Sequence, residues 1–200
     1  ARFGLMDSPS HFVGSFGFWN SHKGFSEFLD TYDEVRSITE HDLRYQIIGY
    51  RLANNTYAQH AIRMNKERID AGLYLIQGDY EPNDVVVSRL CTNNALVFNY
   101  SITGYYSASA AIRTGMSAGR PIVCTTSTMF NEFEDGKHVS KVEFGDKIAL
   151  SRAIARLLTD KEYASSLVRN CDTYLRGCAP DLIAAKHEGL YANVLRGNDR

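Results

Sequence analysis

The sequence predicts an α/β fold: a doubly wound, Rossmann-like parallel sheet with helices on both faces, formed by residues 1–200 as one unit. Three observations predict it. Strand-period and helix-period segments alternate along nearly the whole chain. The first strand runs into a glycine-punctuated turn before a helix, and residues 121–125 (Pro-Ile-Val-Cys-Thr) form the kind of short apolar run that suits a strand covered on both faces.

In order, residues 12–18 read as the first strand, and Phe25, Phe28, Leu29 and Tyr32 then recur at helical spacing. Residues 44–50 form a second strand, the polar stretch at Ala53, Asn54 and Asn55 opens a helix that runs to about residue 71, and residues 73–76 form a third strand. Residues 78–83 are a turn, with Asn83 expected to cap the short helix carrying Val86, Leu90 and Cys91. A fourth strand covers residues 95–99, and a small-residue helix covers 107–118 and stops at Gly119. The fifth strand is 121–125 and the sixth 139–144, after which Asp146 caps a helix bearing Leu150, Ile154, Leu157 and Leu158. Two amphipathic helices close the chain, one with Leu167, Cys171 and Tyr174, the other with Leu190, Tyr191 and Val194. No repeat, low-complexity tract or linker interrupts the pattern.

Composition narrows the function. A formal net charge of −1 argues against a nucleic-acid partner held by phosphate neutralisation, so any phosphate ligand should be small. Cys91, Cys124, Cys171 and Cys178 lack the paired short spacing of a zinc site, and no metal or other cofactor is expected. The apolar runs are strand-sized, so no transmembrane segment is predicted. The expected setting is cytoplasmic, or peripheral to the inner face of the membrane.

Lys23 stands out among the polar residues because it sits in a strand-to-helix turn. There the backbone N–H groups and the positive helix end face whatever lies above the sheet edge, and Gly14, Ser15 and Gly17 let an anion come close. Its alternative role is a solvated surface charge. His22 is the one histidine adjacent to this turn, as a site neighbour or a solvated turn residue.

Several segments, in this order, resemble the C-terminal donor-binding domain of GT-B glycosyltransferases, in particular the retaining family four. They are Gly14-Ser15-Phe16-Gly17-Phe18 with Lys23-Gly24, then Gly78-Asp79-Tyr80, Asn99-Tyr100, Met116-Ser117-Ala118-Gly119-Arg120-Pro121-Ile122-Val123, residues 142–146, and Leu157-Leu158-Thr159-Asp160. The resemblance implies a sugar transferase using a nucleotide diphosphate sugar as donor and a glycan or lipid-linked acceptor, retaining and metal-independent. It also implies a partner N-terminal GT-B domain that this chain lacks, leaving the isolated domain inactive. Lys23 would contact the donor diphosphate, with Ser15, Gly17 and His22 at the same turn, and the helix start at Ser107, Ala108, Ser109 and Ala110 would cradle the phosphates or simply pack on the sheet. The nucleoside would lie near Arg51, Gly78 and Tyr80, with Tyr80 stacking on the base or packing in its turn. Tyr100, Tyr105 and Tyr106 would wall the sugar or pack at the sheet edge.

The sequence departs from the family pattern at three places. Tyr106 and Thr114 stand where the family carries two glutamates, and Phe18 where it carries an arginine. Tyr106 is therefore taken with Lys23 as the candidate catalytic pair. The missing glutamates also motivate an alternative, a non-catalytic nucleotide-sugar or glycan-binding module.

Overall fold

A computed structural model of the chain describes residues 10–51, 54–101 and 107–197. Six strands, β1 (Ser10–Phe16), β2 (Asp42–Ile48), β3 (Tyr74–Gln77), β4 (Ala95–Phe98), β5 (Ile122–Thr125) and β6 (Ser140–Val142), form one sheet in the order β3-β2-β1-β4-β5-β6. Every pairing is parallel. The fold class predicted from the sequence is the one found.

The central strands β4 and β5 are buried along their whole length, and the alternation of side chains along the strands divides the core. Leu43, Tyr45 and Ile47 of β2, with Ala95 and Val97 of β4, pack against Phe25, Phe28, Val35 and Ile154. Leu96 and Phe98 turn the other way onto Ile112, Met116 and Phe130. The helices are α1 (Phe25–Leu29), α2 (Tyr32–Thr39), α3 (Thr56–Met64), α4 (Lys66–Asp70), α5 (Asn83–Leu90), α6 (Ala110–Ser117), α7 (Lys147–Thr159), α8 (Lys161–Gly177) and α9 (Pro180–Leu195).

Most differences from the expected elements lie at boundaries. Strands β1 and β2 begin two residues earlier than their apolar pattern suggests, because Ser10 and Asp42, opposite in register, join the ladder through a 2.5 Å hydroxyl–carboxylate bond. The first helix breaks into α1 and α2 at Thr31, whose hydroxyl donates to the Phe28 carbonyl at 2.7 Å. Asn65 divides α3 from α4 in the same way, its side-chain amide donating to the Ala61 carbonyl at 2.9 Å. Asn83 does not cap α5: the extended Pro82 holds that place, its carbonyl accepting from Val86 N–H at 3.0 Å, and Asn83 is the first helical residue. Asp146 does cap α7, accepting from Ala149 N–H at 2.8 Å. Helix α9 departs most, since none of its residues is buried and Leu190, Tyr191 and Val194 all face solvent. Among the described residues no helix is long and apolar enough to cross a membrane.

Candidate functional site

In a doubly wound sheet the strand order reverses where consecutive connections leave from opposite faces, and the loops there splay apart at the C-terminal strand ends. Here the reversal falls between β1 and β4. A cavity of about 420 Å³ opens at that edge, bounded by the ends of β1 and β2, the β3–α5 loop and the first turn of α6.

Lys23 closes one end of the cavity. It sits in a short 3-10 turn, residues Ser21–Lys23, terminated by Gly24 in the left-handed conformation at φ 62°. A side chain on Gly24 is sterically excluded, because its Cβ would lie 1.9 Å from the Asn99 carbonyl oxygen. The Asn99 amide in turn donates to the Gly24 carbonyl at 3.2 Å, pinning the turn to the end of β4.

Lys23 is only 9% exposed, and its Nζ lies 3.7 Å from the centre of the Tyr100 ring. No carboxylate pairs with it among the described residues, and burial lowers its pKa to about 8. A buried cation with only an aromatic face for company is incompletely compensated, and an arriving anion would supply the missing charge.

Helix α6 brings a second positive element to the cavity. Ser109 is its N-cap, accepting from Ile112 N–H at 3.5 Å, and its Oγ lies 3.3 Å from the Tyr100 hydroxyl. Ala110 and Ala111, at the first two helical positions, have no helical acceptor for their N–H groups, and both line the cavity. Their methyl groups leave the backbone accessible, so lysine and helix end present positive charge to one space.

Another part of the wall is built by side chains beyond the ends of three adjacent strands. Phe18 follows β1, Tyr50 follows β2 and Tyr80 follows β3, and they touch edge to face at 6.1 Å in each pair. All three are exposed, Tyr80 at 74%. Glu81 lies beside them in the wall.

Of the residues expected at the site, Gly17, Lys23, Tyr80, Ala108, Ser109 and Ala110 line this cavity. Others lie elsewhere, for visible reasons. Ser15 is buried with its hydroxyl donated to the Val97 carbonyl at 2.6 Å, so it ties β1 to β4. Tyr100 is fully buried beneath Lys23 and Ser109; burial raises its hydroxyl pKa to about 12, and packing is its role in the structure. His22 stands edge-on to Tyr100 outside the lining, and burial, then the Lys23 charge, lowers its pKa. Arg51 is exposed; its N–H donates to the Gly78 carbonyl at 3.1 Å and its side chain lies across Gly78, away from the lining. Ser107 is exposed and outside the lining, because α6 begins at Ala110 rather than at residue 107. Gly17 directs its own N–H to the Ile48 carbonyl at 3.1 Å, so it shapes the wall without offering a donor. Tyr105 and Tyr106 fall outside the described residues.

Phe18, Tyr50, Glu81 and Thr114 are among the other residues of the lining and were not expected as site residues. For the aromatics a signal was present: each lies two or three positions past the end of one of three adjacent parallel strands.

Comparison with known proteins is consistent with this geometry. The family model described as glycosyl transferases group 1 matches residues 10–160. No curated protein matches the sequence. HepE of Anabaena, in complex with UDP and glucose, superposes with a TM-score of 0.74 at 14% identity, over 94% of this chain and 49% of that one. The C-terminal domain of LpcC, a glycosyl transferase group 1 family protein from Francisella tularensis, gives 0.67 at 15% identity, over 88% and 86%. An E. coli trehalose-6-phosphate protein bound with UDP-2-fluoro glucose gives 0.69 at 13%, over 84% and 41%. The chain thus spans less than half of HepE and of the E. coli protein.

Proposed function

Because the chain belongs to the glycosyl transferases of group 1, we propose that its cavity holds the diphosphate of a nucleotide sugar, and that the chain is the donor-binding half of an enzyme passing that sugar to a glycan or lipid-linked acceptor. The observation that carries the reading is Lys23, buried, without an ionic partner among the described residues, and set with the free N–H groups of α6 on one cavity. A uridine nucleotide is the first choice, since HepE is in complex with UDP and glucose.

In transfer, the bond between the sugar's anomeric carbon and the diphosphate oxygen breaks, with the electron pair leaving on the diphosphate. The acceptor hydroxyl oxygen bonds to that carbon and gives up its proton. Negative charge therefore grows at the phosphate, where Lys23 and the α6 dipole lie ready to stabilise it without reorganising. This positive end suits departure of the diphosphate without a metal; retention at the anomeric carbon is proposed from the family resemblance alone. The acceptor surface is assigned to a second domain, because positioning of both reactants supplies much of the rate.

The test is transfer from uridine and guanosine diphosphate sugars. With an N-terminal GT-B domain fused or added the chain should transfer sugar, while residues 1–200 alone bind nucleotide without turnover; Lys23→Ala should abolish transfer and weaken nucleotide binding about ten- to a hundredfold. Lys23-dependent binding in a two-domain protein inert toward a broad donor and acceptor panel would contradict the transferase reading.

A further inference from the structure

Glu81 is the unexplained group in the cavity wall. Its side chain is 13% exposed, and one carboxylate oxygen, Oε1, accepts from Arg89 Nη2 at 2.8 Å, Arg89 Nε at 3.0 Å and Gln77 Nε2 at 3.4 Å. The other oxygen, Oε2, is buried with no hydrogen-bond partner among the described residues. Leaving a buried acceptor unmet is unfavourable. Arg89 fixes the carboxylate through one oxygen and leaves the second open in a residue that lines the cavity.

From these contacts we infer that Glu81 Oε2 accepts a hydrogen bond from the nucleoside part of the bound nucleotide, and so acts as a specificity residue. This rests on reading the cavity as a nucleotide site. Arg89 already balances the Glu81 charge, so the missing partner is a neutral hydroxyl or N–H donor rather than a cation. Position points to the nucleoside. Glu81 follows β3 and Lys23 follows β1, two strands apart in the sheet, which places them roughly 10 Å apart at strand spacing, about the reach from a diphosphate to its nucleoside. The other groups nearby are less suited: Asp79 is exposed, and the Thr114 hydroxyl donates to the Ala110 carbonyl at 3.3 Å.

The test compares uridine diphosphate, guanosine diphosphate, 2′-deoxyuridine diphosphate and inorganic diphosphate by calorimetric titration of the parent, Glu81→Gln, Glu81→Ala and Lys23→Met chains, with circular dichroism to confirm folding. Both Glu81 variants should weaken the nucleoside diphosphates about tenfold or more, the range for a hydrogen bond to a charged group. Inorganic diphosphate should be unaffected by the Glu81 changes and bind about ten- to a hundredfold more weakly with Lys23→Met. If the Glu81→Gln penalty disappears for the 2′-deoxy compound, the donor is the ribose 2′-hydroxyl; if it persists, the donor is the 3′-hydroxyl or a base N–H. Glu81→Gln binding nucleoside diphosphates as tightly as the parent, while Lys23→Met does not, overturns the inference and leaves the phosphate site standing. A parent chain that binds none of the four probes overturns both.

Discussion

At the β1–α1 turn and the start of α6 the cavity is built from buried, backbone-locked parts: Lys23 at 9% exposure, a left-handed Gly24 pressed against Asn99, and the α6 N-cap Ser109. At the β3–α5 loop it is built from exposed side chains, with Tyr80 at 74% exposure leaning on Tyr50, and from one carboxylate oriented by an arginine eight residues further along. The contrast follows the chemistry expected of the ligand. A diphosphate is the same in every nucleotide, so a rigid cradle of N–H groups and one cation serves it. Bases and sugars differ, and side chains on a loop can change without disturbing the sheet.

The largest effect should come from breaking the rigid end. Gly24→Ala forces a methyl group into the Asn99 carbonyl at a left-handed φ of 62° and should cost about 2–4 kcal/mol of stability in urea denaturation. Gly119→Ala is the control, since Gly119 has a similar φ of 64° with nothing within 4 Å of the added carbon, and should cost about 1 kcal/mol from backbone strain alone. Equal losses would show that the contact with Asn99 does not hold the turn.

A smaller, purely local effect is expected at α6. Ala110 is exposed on the cavity wall, so Ala110→Leu should leave the melting temperature unchanged while lowering nucleotide affinity about tenfold, by keeping phosphate off the helix end. Undiminished affinity would remove α6 from the site. Ser109→Leu is a poor probe of the same idea, because Ser109 is buried and caps the helix. The smallest effect belongs to the exposed end: Tyr80→Ala should weaken nucleoside diphosphates by about 1 kcal/mol, the low end for base stacking, and leave inorganic diphosphate binding unchanged.

The two ends also differed in how far the sequence disclosed them. Lys23-Gly24 and the small residues before α6 could be read because backbone-based anion sites demand glycine and alanine at fixed places. The start of α6 was misplaced by three residues since both Ser107 and Ser109 are good caps, and which one accepts from the helix depends on the Tyr100 packing beneath it. Glu81 was missed because an open carboxylate oxygen is a property of three-dimensional partners, here Arg89 and Gln77. The alternation of strands and helices disclosed the sheet, whereas helix breaks at Thr31 and Asn65 come from side chains competing for backbone carbonyls, which hydrophobic period does not register.

The central claim is that Lys23 is a buried cation awaiting an anion, and its protonation tests that most directly. Burial holds its pKa near 8 against an ordinary 10.5, so the unfolded chain binds more protons across that window and the destabilising effect of burying the charge is relieved as pH rises through it. A bound diphosphate should reverse the shift. Titration of uridine diphosphate at pH 9, in two buffers of different ionisation heat, should therefore show uptake of nearly one proton by the parent and none by Lys23→Met. At pH 7 that variant should bind about ten- to a hundredfold more weakly and be at least as stable as the parent. Equal affinity of the two chains at pH 7, with no difference in proton uptake at pH 9, would contradict the account.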